Sequence, residues 1–321
     1  MRERIRIVWV DVLKMIGLFL VVLGHFLPSD NICKVLIYSF HVPMFIIVSG
    51  FLDALYGKGR RFRFRALLVP WMFWVALSYL IPYMLGHKFS YSLIDSLFPI
   101  KGFKLWNAPC WFLWALLWVD FLAPRCPSIR YCLCESPSKH WFEWLVVSMG
   151  LTFAYLDFVL GLGNVMAYRQ VYLGIVFYEI GYLFWRYNVP NWLERHWMVC
   201  PVLLCLGIVA GVANGQVSIY GSAIQSVPLL IVSAICLSLC AMFVVRKYSS
   251  WFPTKFLGGG IFVLCSHYYF LYLWHALENK FALGTGILLS SVVACLVFVM
   301  CMAFGNLLTF IKRASWRYIH A

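Results

Sequence analysis

The first apolar run of the chain carries three residues that a lipid-facing helix has no use for: Asp11, Lys14 and His25. An ionisable side chain inside a membrane span is costly, so each marks a candidate functional position. Lys14 and His25 are eleven residues apart. On an α-helix that spacing brings them to within about 20° of one face, with about 16 Å between them along the axis. Asp11 precedes Lys14 by three residues, within pairing reach on a helix. A polar stripe therefore runs along this helix and must face a bundle interior. Two uses fit it. Either Asp11 and Lys14 pin neighbouring helices while His25 sits in the outer headgroup zone, or the stripe serves a reaction that needs an imidazole base and a fixed cation.

The second apolar run adds His41 in the segment Phe40-His41-Val42-Pro43-Met44-Phe45, followed by Ser49-Gly50. Pro43 predicts a bend near His41, because proline removes one backbone hydrogen bond. A lone membrane histidine is commonly a packing hydrogen-bonder, but two at the ends of consecutive helices favour a shared site. Lys58, Arg60, Arg61, Arg63 and Arg65 follow in one loop. Such a loop sets topology and touches anionic head groups; it also suits the phosphates of a nucleotide-like cofactor. Arg65, nearest the next span and close to Pro70, is the member expected to point inward. Trp111-Phe112 after Pro109 reads either as an interfacial aromatic belt or as part of a site. Glu179 in the sixth span is a base, a partner for Lys14 or a structural acid. His267 and His275 are about 80° apart around one helix, so at most one faces a given site. Cys126, Cys132 and Cys134 share a loop without a histidine at zinc spacing, so free thiols and no metal are expected.

These residues need helices to hold them. Of 321 residues, 63% are hydrophobic and 12% charged, whereas soluble domains carry roughly 25% charge. Runs long enough to cross hydrocarbon recur along the chain. Ten spans are expected, at 7–27, 33–55, 66–86, 109–124, 141–162, 170–186, 198–214, 224–245, 257–277 and 282–311. Nothing at the start reads as a cleaved leader. With the amino terminus placed in the cytoplasm, 19 of the 26 Lys and Arg fall on the inner side and six on the outer. That bias predicts both termini inside. It also accounts for the net charge of +14 without nucleic acid, for which no binding module is present. The expected class is all-α: a polytopic integral membrane helical bundle of about ten transmembrane helices, forming a single domain over 1–321.

Four segments resemble membrane-bound acyltransferase family 3, the O-acyltransferases that modify cell-envelope glycans. The first is Asp11-Val12-Leu13-Lys14-Met15-Ile16-Gly17 running to Val22-Leu23-Gly24-His25, and the second is Phe40-His41 through Gly50-Phe51. The third is Arg65-Ala66-Leu67-Leu68-Val69-Pro70-Trp71, and the fourth Trp111-Phe112-Leu113. They cover about the first third of the chain. Lys14 stands where many members have Arg, and the segment after Leu257-Gly258 lacks the usual polar residue. The late histidine of the pattern is His267 or His275.

The resemblance implies transfer of an acyl group, with acetyl from acetyl-CoA as the family expectation, to a sugar hydroxyl. It implies a bacterial inner (cytoplasmic) membrane protein whose partners are acyl-CoA, a glycan acceptor and membrane lipids. His25 is the first choice for the base and His41 the second, with Lys14 and Asp11 completing the catalytic set. Arg65, Arg63, Lys14 and Trp111 are the expected donor-binding residues. Lys14 has three open roles: binding the donor, pairing with Asp11, or stabilising the thioester oxygen. Direct transfer and an acyl-histidine intermediate both fit. The main rival is a transporter or flippase of a lipid-linked glycan, which uses intramembrane charges and broken helices equally well. A non-catalytic scaffold is a second rival, and it leaves the charged stripe without a purpose.

Overall fold

A computed structural model describes residues 7–56, 64–123, 148, 152, 167–221, 223–252, 259–281 and 286–319, the last eight of these by backbone alone. Apart from one isolated antiparallel bridge, Ser218 to Ala223, the described residues form helices and their connections. We number the helices α1 (Val8–Phe26), α2 (Ile32–Tyr56), α3 (Phe64–Met84), α4 (Leu93–Leu97), α5 (Trp111–Leu122), α6 (Tyr168–Arg186), α7 (Val189–Arg195), α8 (Val199–Asn214), α9 (Val227–Tyr248), α10 (Gly260–Phe281) and α11 (Ile287–Ile319).

The chain is an all-helical integral-membrane bundle. By length and composition five helices suffice to cross a membrane: α1, α2, α3, α9 with the turn that follows it, and α11 to Ile311. The α7–α8 pair, bent by 116°, makes a sixth if taken as one broken span. α6 and α10 have 19 and 22 residues, enough length to span. Arg169, Gln170 and Glu179 in α6, and Ser266, His267 and Glu278 in α10, dilute their apolar character. α5 has only 12 residues. The expected span 141–162 lies outside the described residues, apart from Ser148 and Thr152. Two elements were not foreseen. One is α4, in the loop after α3. The other is α7, held at the end of α9 by Arg246, whose Nε lies 2.8 Å from Glu194 and whose guanidinium also donates to Asn191.

Side-chain contacts fix the helix directions. Gly24 lies against Ile37 and Tyr38, and Gly17 against Met44 and Phe45, so α1 and α2 are antiparallel. Gly260 meets Leu18, and seven residues later His267 meets His25, so α10 runs parallel to α1. Trp74 packs on Phe262 and Ser78 bonds to Tyr269, which makes α3 parallel to α10 as well. Gly259 touches Gly305, and Ser266 Oγ donates to Cys301, placing α11 antiparallel to α10. Gly211 lies on Ser233 and Gly207 on Leu237, so α8 and α9 are antiparallel. α2 and α6 run the same way, with Ile46 beside Gly174 and Phe51 against Trp185.

The α2–α6 contact is backbone on backbone. A Cβ at Gly50 would strike the carbonyl oxygen of Tyr178, and one at Gly181 would strike that of Ile47. Small residues permit this approach, the usual source of helix association where lipid supplies no hydrophobic drive. Ser39 and Ser233 add a 2.8 Å hydrogen bond between α2 and α9.

The loop between α3 and α5 folds over the later part of α10. A capping box starts α4: Asp95 N–H donates to Ser92 Oγ at 3.2 Å, and Ser92 N–H to the Asp95 carboxylate at 3.0 Å. The backbone and side-chain hydrogen bonds from Ser92 hold the Asp95 carboxyl below its ordinary value. Trp71 Nε1 donates to Leu97 O at 3.2 Å, and Asn107 Nδ2 donates to Cys265 O at 2.6 Å. Trp106 stacks on Tyr272 with centroids 4.0 Å apart. These contacts seat the start of α5 beside the middle of α10.

Candidate active site

The turn between α1 and α2 is five residues long, so the end of one helix faces the start of the next. Lys34 Nζ donates to Leu27 O at 2.9 Å and closes that turn. The same ammonium lies 5.8 Å from the centre of the Tyr38 ring. Tyr38 is thereby held against His25: its Oη is 3.1 Å from His25 Nδ1, and the rings meet edge to face at 5.8 Å. One turn along α2 the other edge of Tyr38 meets His41, at 5.2 Å between centroids.

α10 supplies the third wall. The His267 ring centroid is 5.3 Å from that of His25, and Tyr268 packs edge-on against His25 at 5.3 Å. His25 is half-buried, His41 buried, and His267 fully buried. Three histidines and two tyrosines from α1, α2 and α10 thus form one cluster. Among the described residues no group of three or more His, Cys, Asp or Glu is arranged to hold a metal ion.

Backbone carbonyls assign two of the imidazoles. His41 Nδ1 lies 2.6 Å from Ile37 O, and His267 Nδ1 lies 2.8 Å from Val263 O. A carbonyl only accepts, so in each ring Nδ1 carries the proton, and a neutral ring then keeps its lone pair on Nε2. His25 differs, because its Nδ1 faces a hydroxyl that either donates or accepts. When His25 Nδ1–H donates to Tyr38 Oη, His25 Nε2 becomes a positioned base. A nucleophile–base site is commonly completed by a third group that orients the base, and Tyr38 is placed for that task.

The other expected site residues lie deeper or elsewhere. Asp11 and Lys14 are half-buried, and each has a partner. Lys14 lies about 16 Å along α1 from His25. Arg65, exposed at the start of α3, is about 18 Å below the histidines by the same helical rise. The two cations therefore sit at similar depth on the amino-terminal side. Arg63 lies outside the described residues, as do Cys126, Cys132 and Cys134. Trp111 is buried at the other end, packed 6.2 Å from Phe103 and edge-on to Phe112. Glu179 is buried beside the Gly50–Gly181 contact, about 14 Å along α2 from His41.

The histidine pair on α10 is resolved by packing. His267 faces the cluster, while His275 Nδ1 lies 2.8 Å from the Glu278 carboxylate and is half-exposed. Tyr38 and Lys34 were missed, although Tyr38 precedes His41 by three residues, the spacing of one helix face. Pro43 sits inside α2, which continues unbroken through it.

A buried polar cluster inside a membrane bundle is the architecture of an enzyme or a transporter. The family comparison decides between them at the level of class. The family model described as an acyltransferase domain, acyltransferase family 3, matches residues 7–308, and the chain belongs to that family. No curated protein and no solved structure matches the chain. The match extends well beyond the first third that carried the sequence motifs, and it includes α10 and His267.

Proposed function

We propose that this membrane acyltransferase moves an acetyl group from acetyl-CoA to a sugar hydroxyl of a cell-envelope polysaccharide or lipid-linked glycan, in a bacterial inner membrane. The observation that carries this reading is the His25–Tyr38 contact, which offers an oriented imidazole at the end of a stripe that starts with Lys14. His25 Nε2 takes the proton of the hydroxyl as its oxygen attacks the thioester carbonyl carbon. The carbon–sulfur bond then breaks, and the CoA thiolate leaves and is reprotonated. The products are an ester and free CoA.

Arg65 and Lys14 would hold the donor from the amino-terminal side, with its phosphates outermost and its pantetheine arm reaching toward His25. The common depth of the two cations, about one arm's length below the histidines, supports that placement. Ten spans with both termini in the cytoplasm remain our topology. The charge bias supports it, and so do the helix directions, because α1, α3 and α10 all start on the side where α2 ends. The test is acceptor-dependent release of CoA from labelled acetyl-CoA by purified protein, across a panel of envelope glycans. Glycan movement across vesicles without CoA release would instead indicate transport.

A further inference from the structure

The scheme above gives His267 no role. Its side chain is 0% exposed. Its Nδ1 proton is committed to Val263 O. Its Nε2 lone pair is buried and has no hydrogen-bond partner among the described residues. A buried acceptor left unmade costs about 1–3 kcal/mol, and such groups in native structures are commonly served by water or ligand. This one lies in the ring that faces His25 across 5.3 Å. The rings that meet it are His25 from α1 and Tyr268 on its own helix, and Tyr38 stands on the far side, against His25. Its tautomer makes it an acceptor, so whatever meets it must bring an O–H or N–H.

We propose that His267 Nε2 is a specificity-determining contact to the acyl acceptor, accepting a hydrogen bond from a hydroxyl adjacent to the one His25 deprotonates. This rests on the reading of His25 as the base. The two oxygens of a vicinal diol lie about one hydrogen-bond length apart. Two imidazoles with centroids 5.3 Å apart can each take one of them. The acceptor class is therefore a vicinal diol. His267 exchanges no proton in the step; it holds the second hydroxyl and so aims the first. A site built around such a contact discriminates strongly, because an acceptor lacking the second hydroxyl leaves the buried lone pair unmade.

The test uses acetyl-CoA with cis-1,2-cyclohexanediol or cyclohexanol, which differ by one hydroxyl. The wild-type protein acetylates the diol roughly tenfold faster, the factor that one ordinary hydrogen bond supplies. His267→Leu loses that preference, acetylating the two alcohols at equal rates. His267→Gln, whose amide oxygen reaches the place of Nε2, keeps it. Equal wild-type rates, or a preference that survives in His267→Leu, overturn the proposal and assign the lone pair to a bound water only. A binding measurement applies where His267→Leu does not fold or neither alcohol reacts. There, a shift of the wild-type His267 Nε2 nitrogen-15 resonance on adding the diol but not cyclohexanol supports the proposal, and an equal shift or none overturns it. Failure of every envelope glycan to release CoA would instead overturn the proposed function itself.

Discussion

At the residue scale, the account rests on what each imidazole nitrogen faces. His41 and His267 are tied by Nδ1 to carbonyls of their own helices, whereas His25 is tied to a side chain from a neighbouring helix. Only His25 can therefore be re-oriented by a point change elsewhere. Tyr38→Phe keeps the ring packing and removes the hydroxyl. It is expected to lower kcat by about tenfold to a hundredfold with little change in KM for acyl-CoA, because orientation acts on chemistry rather than on donor binding. Steady-state kinetics at saturating acceptor check this, and a rise in KM alone would make Tyr38 a donor contact. Arg65→Ala is expected to do the reverse, raising KM for acyl-CoA while leaving kcat within about threefold. His25 and His41 were legible in the sequence as costly intramembrane groups. Tyr38 was not, because a tyrosine near a membrane interface is too common to stand out. His267 could not be separated from His275 without knowing which face of α10 meets α1.

At the element scale, the crossing of α2 and α6 is the least tolerant contact. Gly50→Ala or Gly181→Ala places a methyl group against a carbonyl oxygen of the facing helix. Either change is expected to cost about 3 kcal/mol, the upper end of the usual overpacking range, since backbone cannot step aside as a side chain can. Loss of monodisperse protein in detergent, or a fall in unfolding midpoint, reports it; a wild-type midpoint would contradict the packing described. The spans 33–55 and 170–186 anticipated α2 and α6 closely, but neither helix pattern indicated that they touch. Hydrophobic periodicity identifies elements, while the partner of a small residue depends on the other helix. α4 shows the same limit, since five residues with a local capping box carry no hydrophobic period. Its acid response has a definite sign. Asp95 is held below its ordinary value by Ser92, so the capping contribution is present above that value and is lost as pH falls through the lowered one. The protection factors of the Asp95 and Ser96 amides, their exchange relative to the unstructured chain at the same pH, are expected to fall in that acid window in the wild type and to be already low, and independent of pH, in Asp95→Asn.

At the scale of the whole molecule, composition pointed to a membrane chain, and charge bias carries the proposed orientation. The helix directions agree with that orientation where they are described. The count of crossings was less legible, because α6 and α10 carry the polar residues that make a site and so depart from the apolar pattern that marks a span. The helices hardest to read as membrane spans include the one that supplies His267. The same bundle sets Lys14 and Arg65 near the starts of the parallel helices α1 and α3, with His25 and His267 farther along α1 and α10, the arrangement that the proposed transfer uses. The most direct measurement follows labelled acetyl from acetyl-CoA into acceptor by purified wild-type and His25→Ala proteins, with matched unfolding midpoints as the check on folding. The account predicts that His25→Ala loses at least about a hundredfold in transfer rate, the lower range for a general base. Transfer by His25→Ala at the wild-type rate would contradict it.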